Sequence, residues 1–184
     1  SRGAKAPLLT LHRRLIMTMQ YDVKSAHSSG SGLLVPSRCR LKNLIYLGTG
    51  TAGGIDVFDT TTAPVAATYA RSGTTVTVTS TAHGLSTGQV VGISYAAASG
   101  SAAVAGNYTI TRVDANSFTI TDLNSGTIAA GTNCVYSTGA WMTGYNTGTA
   151  VQPFQVIFSG EGVLAQSGIY VVVTNINYQT IQYG

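Results

Sequence analysis

The sequence alternates apolar and polar residues over many short runs and carries very few of the charged residues that favour helices. From Thr74 to Ser80 (TTVTVTS), valine alternates with threonine, the period-two pattern of a strand with one exposed face. Glu161 is the only glutamate, and the chain contains 22 glycines. Helical bundles normally carry Glu and Lys on their exposed faces. We therefore predict an all-β chain built around an antiparallel β-sandwich of jelly-roll-like form.

Changes in residue composition along the sequence divide the chain into three predicted parts. Residues 1–31 form a basic, extended N-terminal arm and linker, residues 32–62 together with 135–184 form the sandwich body, and residues 63–134 form a small β-barrel module inserted into it. In the run 38–47 an apolar face alternates with a basic one: Cys39, Leu41, Leu44 and Tyr46 against Arg38, Arg40 and Lys42. We predict that this run and the strand after it form a hairpin with a glycine-rich tip, GTGTAGG at 48–54.

Charge is concentrated near the N-terminus. Eight of the ten basic residues precede position 43, where Asp22 is the only acid, so that segment carries +7 and the rest of the chain carries −3. Basic and apolar residues are interleaved in the arm: Arg2, Lys5, Leu8, Leu9, Leu11, Arg13, Arg14, Leu15 and Ile16. A basic segment binds either phosphates or an acidic protein surface. The leucines favour a protein surface with an apolar groove, so these nine residues are the predicted partner-binding arm.

Two phrases in the module carry a resemblance to a known family. A threonine/valine strand is followed by AHGLSTGQVV (82–91) and by GNYTITRVDANSFTIT (106–121). This order is similar to the small β-barrel-like repeat domain in tail, fibre and other structural proteins of tailed bacteriophages, which is related to the first catalytic cysteine half-domain of ubiquitin-activating enzymes. The resemblance implies a spacer or decoration without catalytic residues.

The phrase around His83 also has a physical interpretation of its own. A chain that reverses direction after a strand needs residues that tolerate positive φ, and Gly84 and Gly88 supply them. Leu85 is then expected to close the end of the module's core, and His83 to be a hydrogen-bonded corner residue.

The body carries a second resemblance. The segments LLVP, RLKNLIYLG, GGIDVFD and FSGEGVLAQSGIYVVVTNINYQTIQYG look like a group of short structural proteins of marine tailed phages. This resemblance implies a role in the virion.

The sequence is poor in groups that support catalysis or metal binding. It has six acids, and the histidines His12, His27 and His83 lie far apart. No G-x-S-x-G elbow precedes a helix, and GTGTAGG precedes a strand where a dinucleotide site needs a helix. Cys39 and Cys134 are predicted to be buried free thiols. We expect no enzymatic activity, no cofactor and no metal.

No apolar run approaches the roughly 20 residues that span a bilayer. No signal peptide is indicated, because His12, Arg13 and Arg14 interrupt the apolar residues near the N-terminus. We therefore expect no membrane contact.

Aromatic residues leave one alternative open. Trp141 and Tyr145 lie close together in a glycine-rich segment, and Tyr95 lies in the module. Such rings either stack on glycans or anchor a core or an interface. Exposure of the three rings on one flat face would favour glycan binding.

The sequence thus leads to one main hypothesis and two alternatives. The main hypothesis is a non-enzymatic structural protein of a phage virion, a capsid decoration or cement protein anchored by its N-terminal arm. The first alternative is a structural protein of the tail or tail-fibre base, and the second is a carbohydrate-binding module. Major capsid or tail proteins are the expected partners rather than nucleic acid. We also expect a homo-oligomer.

Overall fold

The computed structural model describes residues 23–96 and 102–184, and within them the fold is all-β, as predicted. The strands are β1 (Lys24–Ser28), β2 (Gly32–Val35), β3 (Cys39–Gly48), β4 (Gly53–Asp59), β5 (Val65–Thr79), β6 (Val90–Tyr95), β7 (Gly106–Thr109), β8 (Thr111–Arg112), β9 (Ser117–Ser137), β10 (Ala140–Gly148), β11 (Pro153–Ile157), β12 (Val163–Ala165), β13 (Ile169–Thr174) and β14 (Ile176–Tyr183).

Two antiparallel sheets form the sandwich. The first sheet has the order β1-β14-β3-β11, with β12 also paired to β3, and the second has the order β10-β4-β13-β2. The antiparallel pairs β1–β14, β2–β13, β3–β11 and β4–β10 match the first half of the sandwich chain to the second half in reverse order. Eight strands paired in this way and divided between two sheets form a jelly roll. The predicted jelly-roll-like sandwich is confirmed.

The sandwich core lies between these two sheets. Leu41 and Leu44 from the first sheet pack with Ile55 and Val57 from the second, and all four are fully buried. The apolar core positions along β3 change from odd numbers, Cys39 and Leu41, to even numbers, Leu44 and Tyr46, because the pairing with β14 skips Lys42 and forms a bulge. The predicted buried face of β3 is therefore correct on both sides of this bulge.

The predicted hairpin between β3 and β4 is wrong. The two strands belong to different sheets: β3 pairs with β14, β11 and β12, whereas β4 pairs with β10 and β13. The glycine-rich segment crosses from one sheet to the other. Gly53 is required there, because a side chain would collide with the Thr174 carbonyl and would lie 2.7 Å from Cβ of Asn175.

A third sheet contains the strands between β4 and β10. Its order is β5-β9-β6-β7, with β8 also paired to β9, and it encloses a separate core that includes Val76, Ile93, Phe118 and Tyr136. The predicted barrel is not closed, since β5 and β7 end the strand path and do not pair with each other in the described residues. The sheet is instead open, and the long strands β5 and β9 pair along almost their whole length.

The predicted corner at His83 is confirmed. Nδ1 of His83 accepts a hydrogen bond from the Leu85 backbone N–H at 3.0 Å, and Nε2 lies 3.0 Å from the Asp114 carbonyl oxygen. Gly84 and Gly88 have φ values of 67° and 92°, the left-handed region that favours glycine. Leu85 is buried in the core of the third sheet.

The third sheet packs against the beginning of strand β10. The Gly92 N–H donates to the Gly139 carbonyl at 3.3 Å. The Asn107 side chain brackets the Trp141 backbone, accepting from its N–H at 2.7 Å and donating to its carbonyl at 3.0 Å. A Cβ at position 92 would collide with the Trp141 nitrogen and lie 2.8 Å from the Gly139 oxygen, so this close approach requires glycine.

Candidate functional site

The nine predicted arm residues lie outside the described residues: Arg2, Lys5, Leu8, Leu9, Leu11, Arg13, Arg14, Leu15 and Ile16. Residues 24–28, which the sequence assigned to the arm and linker, form β1 at one edge of the first sheet. His27 is part of this strand, with its Nδ1 3.0 Å from the Thr180 hydroxyl oxygen. The first described residues of the chain therefore lie at an edge of the first sheet.

Every acid in the described residues has a partner among those residues. Asp56 accepts a hydrogen bond from the Trp141 indole at 2.9 Å, and Asp59 accepts backbone N–H groups of residues 166–168. Asp114 accepts the Asn116 N–H at 2.7 Å within its own turn. The other two acids form ion pairs: Asp122 with Arg71 at 2.9 Å, and Glu161 with Arg40 at 3.1 Å. The described part of the chain therefore holds no cluster of unengaged carboxylates that could bind a basic segment.

The three candidate aromatic residues do not share one face. Tyr145 packs on the sandwich core, with its ring 6.5 Å from that of Tyr46. Tyr95 packs on the core of the third sheet, edge to face with Tyr69 at 4.7 Å. Trp141 lies where the third sheet contacts β10, and its indole binds Asp56. The structure therefore shows no flat platform made of these three rings.

A cleft of about 400 Å³ lies between the sandwich and the third sheet. Its walls come from β4, β6, β9 and β10 and from the ends of neighbouring strands. The lining residues are Ala52, Gly53, Gly54, Asp56, Ser94, Tyr95, Ala96, Asn133, Cys134, Val135, Asn146, Gly148 and Thr174. Of the three candidate aromatic residues, Tyr95 belongs to this lining. Asp56 is the only charged side chain among the described residues that line the cleft.

Burial governs the titration of the groups in the cleft. It raises the pKa of Asp56, while hydrogen bonds from Trp141 and Ser94 to the carboxylate act in the opposite direction. Burial also raises the pKa of the Cys134 thiol to about 12. The thiol is therefore protonated at neutral pH and is a poor nucleophile.

Both cysteines are buried free thiols, as predicted. Cys39 belongs to the sandwich core and Cys134 to the core of the third sheet, so they do not pair. No group of three or more His, Cys, Asp or Glu side chains is placed to hold a metal ion within residues 23–96 and 102–184. In the same residues no helix is long and apolar enough to cross a membrane.

Sequence reasoning missed the cleft. The polar residues of the cleft come from four different strands, and no spacing in the chain links them: Asp56, Ser94, Asn133 and Asn146.

A search against models of known protein families and a search of curated proteins both found no match to this chain.

Proposed function

We propose that the protein is a non-enzymatic structural component of a tailed-phage virion, a decoration or cement protein that its N-terminal arm attaches to the capsid. The observation that carries this proposal is the imbalance between arm and body. Arg2, Lys5, Arg13 and Arg14 precede the described residues with Asp22 as the only acid, while each acid in the described part of the chain is engaged with another described residue. The positive charge of the arm is then best compensated by another molecule.

The apolar residues of the arm favour a protein partner. Ordering an extended segment costs about 1–2 kcal/mol of backbone entropy per residue. Burial of leucine surface, at roughly 25 cal/mol per Å², offsets that cost when the partner offers an apolar groove. Phosphates alone offer no such groove. An acidic, partly apolar surface of a capsid protein suits both kinds of side chain.

The jelly roll supports the proposal by analogy, because this architecture occurs in viral capsid proteins as well as in lectins and cupins. The module and the body both resemble phage structural proteins, and these resemblances favour a capsid-type role over that of a lectin or a cupin. The tail remains the alternative location, since segments 82–91 and 106–121 of the module resemble repeats of tail and fibre proteins.

The first sheet offers a surface for contacts between copies. Ile157 on its edge strand β11 is 71% exposed, and Val151 just before that strand is 65% exposed. An edge strand presents unpaired backbone groups, and exposed apolar residues beside it favour association. We therefore keep a homo-oligomer, arranged around the capsid, as part of the proposal.

The decisive experiment is co-sedimentation of variants with purified virions. Deletion of residues 1–22 should abolish binding while circular dichroism shows that the β body remains folded. The double variant Leu9→Ser/Leu11→Ser should also bind weakly. Leu123→Ser is the matched control, since Leu123 is 85% exposed on β9 of the third sheet and its loss should not alter binding.

Two results would overturn the proposal. Retention of the deletion variant on virions would remove the arm from attachment. Binding that falls by orders of magnitude as salt rises, with free viral DNA competing for the arm, would indicate phosphate contacts. Immunogold labelling of particles locates the protein, and label on the tail would replace the capsid role with the tail role.

A further inference from the structure

We infer that the cleft between the sandwich and the third sheet binds a neutral, hydroxyl-rich ligand of the size of one or two sugar rings. This inference goes beyond the proposed attachment role, because it uses none of the arm residues. Its residues also differ from the aromatic trio suggested by the sequence, since only Tyr95 belongs to both sets.

The cleft has the size and position of a ligand site. Its volume of about 400 Å³ lies within the range of 300–1,000 Å³ that small-molecule sites occupy. It lies at the junction of two separately packed cores, a place where ligand sites are common. The docking of Asn107 on the Trp141 backbone holds the two walls together, so the cleft exists before any ligand binds.

The polar groups of the cleft suit hydroxyl groups. The Asp56 carboxylate is a hydrogen-bond acceptor, and the Ser94 hydroxyl and the Trp141 indole hold it in place in the cleft wall. Asn133 and Asn146 are exposed, and neither side chain is engaged in a hydrogen bond within the described residues. An amide offers both donors and an acceptor, so these groups match the alternating donors and acceptors of adjacent hydroxyls.

The charge of the lining excludes other ligand classes. Among the described residues that line the cleft there is no Lys, Arg or His, and a negative charge on Asp56 repels phosphates and carboxylates. A metal ion is not favoured either, because the described residues hold no group of three or more His, Cys, Asp or Glu side chains that could bind one. The remaining walls include Tyr95, Val135 and Ala52, which present apolar surface to the ring face of a sugar. A neutral sugar satisfies both the polar and the apolar walls.

The experiment uses the full chain and a panel of neutral sugars: glucose, galactose, mannose and N-acetylglucosamine. Chemical-shift changes in NMR spectra of the labelled protein locate each sugar, and calorimetry gives its Kd. Asn146→Ala should weaken binding about three- to tenfold, the effect of one lost hydrogen bond. Ala52→Trp should block the cleft. Gln155→Ala, which removes an exposed amide on β11, is the control and should bind as the wild type does.

The expected result is at least one sugar with a Kd in the millimolar range or tighter and shift changes at Ser94, Asn133 and Asn146. The inference is wrong if no sugar shifts these residues at concentrations up to its solubility. It is also wrong if Ala52→Trp leaves binding intact, or if sialic acid, an anionic sugar, binds better than the neutral panel. None of these outcomes bears on virion attachment, which is measured separately.

Discussion

The buried ion pair of the third sheet is the strongest test of how this part of the chain is stabilised. The Arg71 and Asp122 side chains are both fully buried and are joined at 2.9 Å. Arg71 also donates to the carbonyls of Gly73, at 3.2 Å, and Ala102, at 2.8 Å, while Asp122 accepts the Val104 N–H at 3.2 Å. The pair thus holds the chain on both sides of position 103 against β5 and β9.

Asp122→Asn is the informative substitution. Asparagine keeps the shape and an acceptor for Val104, but it removes the negative charge that contacts the buried Arg71 guanidinium. Removing one partner of a buried pair costs about 3–5 kcal/mol, a large part of the roughly 5–15 kcal/mol that stabilises a typical domain. We therefore expect a large fall in the urea midpoint. Circular dichroism follows strand loss, and the fluorescence of Trp141, the only tryptophan, reports the junction with β10.

Glu161→Gln is the matched control. Glu161 pairs with Arg40 at 3.1 Å, but its side chain is 79% exposed, and exposed pairs contribute about 0–1 kcal/mol. The same chemical change should therefore have little effect at position 161. Similar small losses for the two variants would refute the reasoning, because they would show that burial of the Arg71–Asp122 pair does not set its energetic weight.

Three further substitutions test the junction, the cleft and a loop. Gly92→Val should separate the third sheet from β10, since a side chain there collides with the Trp141 backbone, and Trp141 emission should shift to the red. Asp56→Asn should remove a pH dependence of the free energy of unfolding. Burial raises the pKa of Asp56, so the folded state is favoured by the protonated side chain. This contribution to stability is fully present below the ordinary pKa of 3.8 and is lost as pH rises through the pKa of the folded state. The stability of the variant relative to the wild type should therefore rise from about pH 4 towards neutrality in urea titrations. Asp59→Ala should cost about 1–3 kcal/mol in the same assay, because the backbone N–H groups of 166–168 lose their acceptor.

Each of these predictions has a result that would contradict it. Unchanged Trp141 emission in Gly92→Val would show that the junction tolerates a side chain. A stability difference for Asp56→Asn that does not vary with pH would mean that the carboxyl is not destabilised by burial. An unaltered urea midpoint for Asp59→Ala would show that water replaces the carboxylate without cost.

Local signals determined the fold class and several local features. Alternation with a period of two is a property of neighbouring residues, so it placed Val76 and Val78 in a core and predicted the buried face of β3. Glycine tolerates positive φ wherever it occurs, which made the turn at Gly84 and Gly88 predictable. The corner role of His83 followed from the same short segment.

Strand pairing was not a local property. The sequence suggested that β3 and β4 pair across their glycine-rich connection, yet a jelly roll places them in different sheets. Which strand lies beside which depends on the burial of whole faces, and a sequence pattern states only that a face is apolar. The open form of the third sheet was hidden for the same reason, because closure depends on long-range pairing between edge strands.

The sequence alone determined a β chain with few ionisable groups and a basic, leucine-bearing N-terminal segment, because composition and charge order do not depend on folding. Only the tertiary structure decided how those few acids are used and where a ligand fits. Asp56 and Trp141 are 85 positions apart, and their hydrogen bond and the cleft beside it exist because β4 and β10 are neighbours in one sheet. Strand pairing brings such distant residues together. It is stabilised by the free energy of burying two sheet faces, which depends on the whole fold and not on any local segment.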